Sequence, residues 1–411
     1  MKKIRIRVGD FILEEEEKKA IKEVIDSGRL SEGVKVNKFE KSWAKFIGVK
    51  YCVATSSGSG ALITGLTALK YLKNLKNGTK VITSPLTYIA TSSAISTVGF
   101  EPVYVDIDSD SFNISPENIK AHLDQANDIE EYAIILPVHL MGYPLRMDEI
   151  NEIAKQYKLI TFEDAAQAHG TTYNGRKVGS MSLLSAFSFY IAHNIQAGEM
   201  GAVTTNDQEI AKLIRKIKAQ GRECDCLVCT RSNGWCPPLD GYNGEDDFDP
   251  RFSHDLIGYN FKTMEFQAAL ALSQIKKVDW IIKKRQENVK YLNNALEKYN
   301  DILKLPKYSD NISYITYPIV IKRPDLVTRK ELRKRLEEEG IETRPLFGCI
   351  PTQQPAYSYL KKKYEGKLPN AEYLGLNAFY IGCHQYLTED DLEYTIKAFN
   401  KILLEKLKLF C

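Results

Sequence analysis

From about residue 50 to residue 206, short apolar runs alternate with stretches whose apolar positions recur every three or four residues. The runs are VITSPLT (81–87), PVYVDID (102–108), YAIILPVHLM (132–141), LITFEDAA (159–166), AFSFY (186–190) and GAVTT (201–205). Most are rich in Val, Ile and Tyr and bounded by Gly, Pro, Asn or Asp. That rhythm predicts an α/β fold, a mainly parallel sheet with helices on both faces. Ahead of it, 13–27 and 37–47 carry amphipathic helix patterns joined by a turn signal at Ser31–Gly33. Behind it, 207–221 reads as a helix, and a long helical pattern covers 261–299. The remainder, 300–411, mixes the strand YITYPIVI (314–321) with helices near 328–339 and 388–406, a smaller α+β domain. The expected domains are therefore an N-terminal helical segment (1–48), a large α/β domain (49–260) and a C-terminal part (261–411).

One stretch breaks the rhythm. Residues 222–257 have no periodicity and are dominated by Cys, Asp, Gly and Pro. Structureless segments of this length inside a compact domain are usually functional.

Composition narrows the class. A chain of 411 residues, 44% hydrophobic and 27% charged, is long enough for a full core and has the balance of a globular protein. A net charge of +3, with acids and bases nearly balanced, gives no reason to expect nucleic acid, whose readers usually carry a concentrated basic face. Lys2 and Lys3 are followed by no apolar h-region, and no apolar run approaches the ~18 residues of a membrane span. A cytoplasmic protein without membrane association is expected. Of eight cysteines, Cys224, Cys226, Cys229 and Cys236 fall within one short stretch, which in a reducing compartment reads as metal ligation before disulfides.

Three motifs stand where strands of such a sheet end, the place where ligands gather in open α/β sheets. Thr55-Ser56-Ser57-Gly58-Ser59-Gly60-Ala61 follows a strand-like segment and opens an apolar helix, as a phosphate-binding turn does. Phe162 to Gly170 (FEDAAQAHG) puts an acid at a strand end beside small residues. Ser188 to Asn194 (SFYIAHN) is followed by Gly198-Glu199-Met200-Gly201. Singly, an ordinary turn, a helix N-cap and a structural histidine explain them.

Together, in this order, they resemble the DegT/DnrJ/EryC1/StrS family, the sugar aminotransferase group of fold-type I pyridoxal-phosphate enzymes. The likeness extends to Tyr88 in LTYIAT, to HLMGYP (139–144) and to GYNFKTMEFQAALALSQI (258–275). It implies that Ser59, the Gly60 amide and Ser188 hold the cofactor phosphate and that Tyr88 stacks on the pyridine ring. Asp164 would pair with the ring nitrogen, Gln167 would contact the ring hydroxyl, and Asn260 would reach the phosphate across a homodimer interface.

The departure from the family pattern is at His193, where the aminotransferases carry the lysine that binds pyridoxal covalently. Imidazole forms no stable Schiff base, yet it shuttles a proton near neutral pH, with an ordinary pKa of about 6.5. A histidine there resembles the subgroup that uses pyridoxamine 5'-phosphate to remove the C3 hydroxyl from nucleotide-linked 4-keto-6-deoxyhexoses. One branch of that subgroup is metal-free and acts on GDP sugars. The other acts on CDP sugars with a [2Fe–2S] cluster and an external electron-donating reductase. Four thiolates are the number such a cluster needs, and the cysteine set resembles the second branch, although Met200 stands where a glycine is usual. A structural zinc in the same thiols, with metal-free chemistry, is the competing reading; a non-catalytic scaffold is the third. His139, His169, His254 and His384 are expected to orient side chains or line the sugar pocket.

Overall fold

The computed structural model describes residues 3–224, 226 and 252–410. Its main sheet has seven strands: β1 (Tyr51–Thr55), β2 (Lys80–Thr83), β3 (Glu101–Tyr104), β4 (Tyr132–Leu136), β5 (Ile160–Asp164), β8 (Leu184–Ser188) and β9 (Gly201–Thr205). Between β5 and β8 the chain makes a small hairpin of β6 (Thr172–Tyr173) and β7 (Arg176–Lys177). The order is β1-β9-β8-β5-β4-β2-β3. Every pairing is parallel except those of β9, which runs against both of its neighbours. Strands buried on both faces read as continuous apolar runs, and successive residues serve opposite cores. Val53, Ile134, Leu136 and Phe162 pack on one side; Cys52, Ala54, Ile82 and Ile135 pack on the other.

Helices α1 (Glu15–Asp26) and α2 (Val34–Ile47) precede the sheet, and α3 (Gly58–Leu72), α4 (Ala90–Thr97), α5 (Pro116–Asp124), α6 (Met147–Gln156) and α7 (Gln208–Lys218) connect it. Their ends follow local chemistry. Glu14 and Glu17 close a capping box on α1, and Asp207 accepts from the Glu209 and Ile210 amides at the start of α7.

Several expected boundaries shift. The run 132–141 stops as a strand at Leu136, because Pro137 follows and the Asp164 amide turns to its carbonyl. The run 81–87 stops at Thr83. The helix expected over 261–299 is two, α8 (Glu265–Lys276) and α9 (Val278–Leu296), broken at Lys277 (φ −101°, ψ 2°). The four-stranded antiparallel sheet of the C-terminal part has the order β10-β11-β13-β12. Its strands are β10 (Leu303–Lys304), β11 (Tyr317–Ile321), β12 (Arg344–Pro345) and β13 (Ala378–Ile381), of which only β11 was foreshadowed, and three residues late. Helices α10 (Arg329–Glu338), α11 (Ile350–Gln353), α12 (Lys361–Tyr364), α13 (Pro369–Asn377) and α14 (Glu389–Phe410) complete the chain. An Ile6–Ile341 bridge ties the N-terminal segment to this part.

The 222–257 stretch is not wholly irregular. Its two legs pair antiparallel through Ala219–Asn260 and Arg222–His254. The returning leg is pinned outside α7 and α3, by the Lys216–Asp255 ion pair and by Ile257 on the Tyr71 hydroxyl.

Candidate active site

Because β1, β2, β4, β5 and β8 share a direction, their carboxyl ends meet at one edge of the sheet, and a cavity of about 520 Å³ opens there. Ser59, Tyr88, Asp164, Gln167, Ser188 and His193 all line it. Gly60 and Asn260 do not.

The α3 N-terminus forms one wall. Ser57 is its N-cap, and its Oγ accepts the Gly60 amide at 3.1 Å. The Gly60 amide expected at a phosphate is therefore already engaged, and the helix start offers Gly58 and Ser59 to the cavity instead. Close approach brings Ser188 beside it. A Cβ on Gly58 would lie 2.5 Å from Ser188 Cβ, and one on Gly201 would lie 2.1 Å from the Ser57 carbonyl oxygen. No side chain fits at either position.

Neighbouring acids at the end of β5 serve opposite faces. Glu163 is fully buried and accepts from His139 Nε2, the Gly179 and Met181 amides, and the Ser182 and Ser185 hydroxyls. Burial pushes its pKa up, but these partners, His139 foremost, win and hold it below the usual value. Asp164 faces the cavity with two donors, Thr91 Oγ1 at 2.8 Å and the Ala166 amide at 3.2 Å. Burial dominates there and raises its pKa. A buried carboxylate with so few donors suits a cationic N–H facing it.

Gln167 Oε1 accepts the Met141 amide at 2.8 Å, which leaves its NH2 as the group to donate to a ligand oxygen. Tyr88 is 60% exposed and tilts against Phe347, ring centres 5.8 Å apart. His193 is half-buried, and its Nδ1 has no hydrogen-bond partner among the described residues. Burial, then the positive Arg285, push its pKa down to about 4. At neutral pH it is an uncharged imidazole, the form that accepts a proton.

The other histidines stand away from the cavity lining, contrary to one expectation for them. His139 supports Glu163, His169 is buried behind His193 with ring centres 6.0 Å apart, His384 is buried, and His254 is exposed against the Gln220 carbonyl. Met200 is fully buried, and its carbonyl accepts the Phe189 amide. Asn260 is exposed at the base of the cysteine-rich stretch, outside its own chain's cavity. Cys229 and Cys236 lie outside the described residues; Cys224 is half-buried and Cys226 exposed. Among the described residues no group of three or more potential metal ligands assembles.

Sequence reasoning missed Thr91, whose hydroxyl holds Asp164 and touches Thr87 Oγ1 at 3.0 Å. The LTYIAT motif contained both threonines, but nothing local joined them to an acid 73 positions away. It also missed Ile315, Thr316, Arg344 and Phe347, which the C-terminal part contributes to the lining.

The donor set fits pyridoxal or pyridoxamine phosphate: a helix start with two serines for a phosphate, an underpaired buried acid for a ring nitrogen, and an amide for a ring hydroxyl. The sequence matches the DegT/DnrJ/EryC1/StrS aminotransferase family over residues 12–400.

This chain belongs to that family. Its fold is the fold-type I, pyridoxal-phosphate-dependent aminotransferase type. It is 33% identical over 381 residues to the lipopolysaccharide biosynthesis protein RfbH of Salmonella typhimurium, covering 91% of this chain and 86% of that protein. It is 31% identical to the GDP-4-keto-6-deoxy-D-mannose 3-dehydratase of Escherichia coli O55:H7, covering 92% and 95%. The structure of the E. coli GDP-4-keto-6-deoxy-D-mannose 3-dehydratase with bound hydrated pyridoxal phosphate superposes with a TM-score of 0.84 at 29% identity, covering 96% and 99%. Among the described residues no helix is long and apolar enough to cross a membrane.

Proposed function

We propose that the protein is a pyridoxamine-phosphate-dependent 3-dehydratase that removes the C3 hydroxyl from a nucleotide-linked 4-keto-6-deoxyhexose, with His193 as its base. The observation that carries this is His193 lining the Asp164 cavity with an unpartnered Nδ1 among the described residues, at the place where the aminotransferase pattern has its lysine. When bound, the cofactor supplies an amine for the C4 ketone and a protonated ring that accepts electrons.

The chain's own residues do the rest. Ser59 at the α3 N-terminus and Ser188 at the end of β8 hold the phosphate, and Tyr88 covers the ring. Asp164, fixed by Thr91 and the Ala166 amide, keeps the ring nitrogen protonated. The Gln167 NH2 orients the ring oxygen. His193 takes up the proton lost during dehydration and returns it to the departing oxygen.

The finer reading rests on the cysteine-rich stretch. Cys224, Cys226, Cys229 and Cys236 hold a [2Fe–2S] cluster, an external electron-donating reductase supplies the two electrons that the deoxygenated product requires, and CDP is the nucleotide. Asn260, exposed and away from its own cavity, completes the phosphate site of a partner subunit in a homodimer.

The deciding assay incubates the purified enzyme with CDP-, GDP- and TDP-linked 4-keto-6-deoxyhexoses and identifies the product. A 3-deoxy sugar supports the proposal; a 4-amino sugar with retained C3 hydroxyl makes the chain an aminotransferase. His193→Lys should stop dehydration, and unchanged deoxygenation by it ends the role of His193. Metal analysis of anaerobically prepared protein separates the branches. Two irons per chain support the cluster, whereas one zinc with turnover needing no reductase supports the metal-free branch. Mixing His193→Asn with Asn260→Ala subunits should restore part of the activity if sites are shared.

A further inference from the structure

Behind the cavity, α9 carries a charge that the proposed mechanism leaves unused. Arg285 is 1% exposed, and no carboxylate among the described residues pairs with it. Its Nη1 donates to the Tyr314 and Ile315 carbonyls at 3.3 and 2.7 Å, and its Nε donates to Gln385 Oε1 at 3.1 Å. These two carbonyls belong to a turn that needs holding. Tyr314 sits at φ +43°, left-handed backbone that a bulky aromatic residue rarely adopts.

The turn is fastened on its other sides as well. The Tyr314 hydroxyl donates to the Lys307 carbonyl and accepts the Ser309 amide. The Ser313 carbonyl accepts from Asn194 Nδ2 at 2.9 Å, the residue next to His193. The two residues after Tyr314, Ile315 and Thr316, line the cavity, and Thr316 Oγ1 touches Met141 Sδ at 3.2 Å, another lining residue. A neutral amide would serve to hold two carbonyls. Burying a guanidinium without an acid is costly, so its charge is the feature to explain, and His193 is among the groups that feel it.

We propose that Arg285 is a positioning residue of this site: it fastens the left-handed Tyr314 turn so that Ile315 and Thr316 form the cavity wall, and it sets a fixed positive charge behind His193. The inference builds on the reading of His193 as the base, but it concerns the electrostatics and the wall. The electrostatics are measurable without turnover.

The other groups facing His193 are the His169 and Tyr190 rings. Asp164, Glu199 and Arg344 share its cavity. His169 also feels the Arg285 charge, so its titration is followed beside that of His193 in each variant. The test compares Arg285→Lys, which keeps the charge and loses the fork, with Arg285→Gln, which loses the charge and keeps one donor group.

Nuclear magnetic resonance titration of His193 in cofactor-free protein reads the charge. Its midpoint should stay near the wild-type value in Arg285→Lys and rise by about one unit or more in Arg285→Gln. Steady-state kinetics of the holoenzyme reads the wall: KM for the nucleotide sugar should rise about tenfold in both variants. A midpoint unmoved in Arg285→Gln removes the electrostatic part, and an unchanged KM in both removes the positioning part. If Arg285→Gln fails to fold, Arg285→Lys still decides the wall, and a wild-type His193 titrating at the ordinary histidine value overturns the charge. Failure of the base assignment looks different: His193→Asn then dehydrates normally while the titration still shows the effect of Arg285.

Discussion

Glu163 and Asp164 are adjacent, both carboxylates and both buried, at the end of one strand. The strand's alternation sends them to different regions. Glu163 enters a polar pocket with donors from His139, two amides and two serines, and it stays ionised there. Asp164 enters the cavity edge with one hydroxyl and one amide, and burial raises its pKa. The first acid is saturated, so its contribution is to stability. The second is left underpaired by the fold, so a ligand must complete it. Buried acids in a cofactor enzyme are therefore sorted by counting their donors, with burial itself uninformative.

The sharpest break of that comparison is Asp164→Asn. With cofactor and substrate, kcat should fall by about a thousandfold, since a neutral amide does not hold a ring nitrogen protonated. The melting temperature of the cofactor-free protein should hold or rise at neutral pH, because a buried charge is removed. Near-normal turnover in stopped assays would sink the role given to Asp164. The opposite profile is expected of Glu163→Gln: a stability loss of about 3 kcal/mol by denaturant unfolding, with whatever protein remains folded still active.

The two acids also predict opposite pH trends. Glu163 has a lowered folded pKa, so its contribution is present above its ordinary value of 4.5 and is lost as pH falls through the folded pKa. Asp164 has a raised folded pKa, so its charge opposes folding above that pKa and the opposition fades as pH falls. Calorimetry of the two variants against wild type, carried from pH 7 to well below pH 4.5, should show the Asp164→Asn difference shrinking from above and the Glu163→Gln difference shrinking from below. Parallel curves would mean the donors do not set the two states.

Smaller effects sharpen the picture. Thr91→Val removes one of the two donors of Asp164 and should lower kcat about tenfold for about 1 kcal/mol of stability. Asp26→Ala deletes the acid of the exposed Lys22 pair at an α1 surface. It should change stability by less than about 0.5 kcal/mol and leave kcat alone. A large effect there would show that surface charge carries more of this fold than burial suggests.

The cysteine-rich stretch contrasts with the cavity in legibility. Motifs at the strand ends could be read because a strand fixes where its last residue points, so Ser188, Asp164 and the 188–194 segment landed on one edge as the alternation required. No such rule governs an aperiodic segment. Its legs turn out to be paired at the base and pinned to the outer sides of α7 and α3.

The sequence by itself determined the alternation of strands and helices and the strand-end motifs, the histidine of the 188–194 segment among them, because each is written in neighbouring residues. Tertiary structure decided what contacts between distant residues decide. Thr91 reaches Asp164 only because β2 and β5 share a direction in one sheet. The Gly60 amide is engaged because Ser57 folds back as an N-cap. The 261–299 pattern is two helices because the backbone at Lys277 leaves helical geometry, while the apolar spacing runs through unbroken. Arg285, 29 and 30 positions before the carbonyls it holds, is one cation among many in a helical pattern until the fold wraps it in carbonyls, with no acid paired to it among the described residues. A side chain's burial and its count of donors are properties of the packed molecule, and at this site those properties separate the supporting residues from the reacting ones.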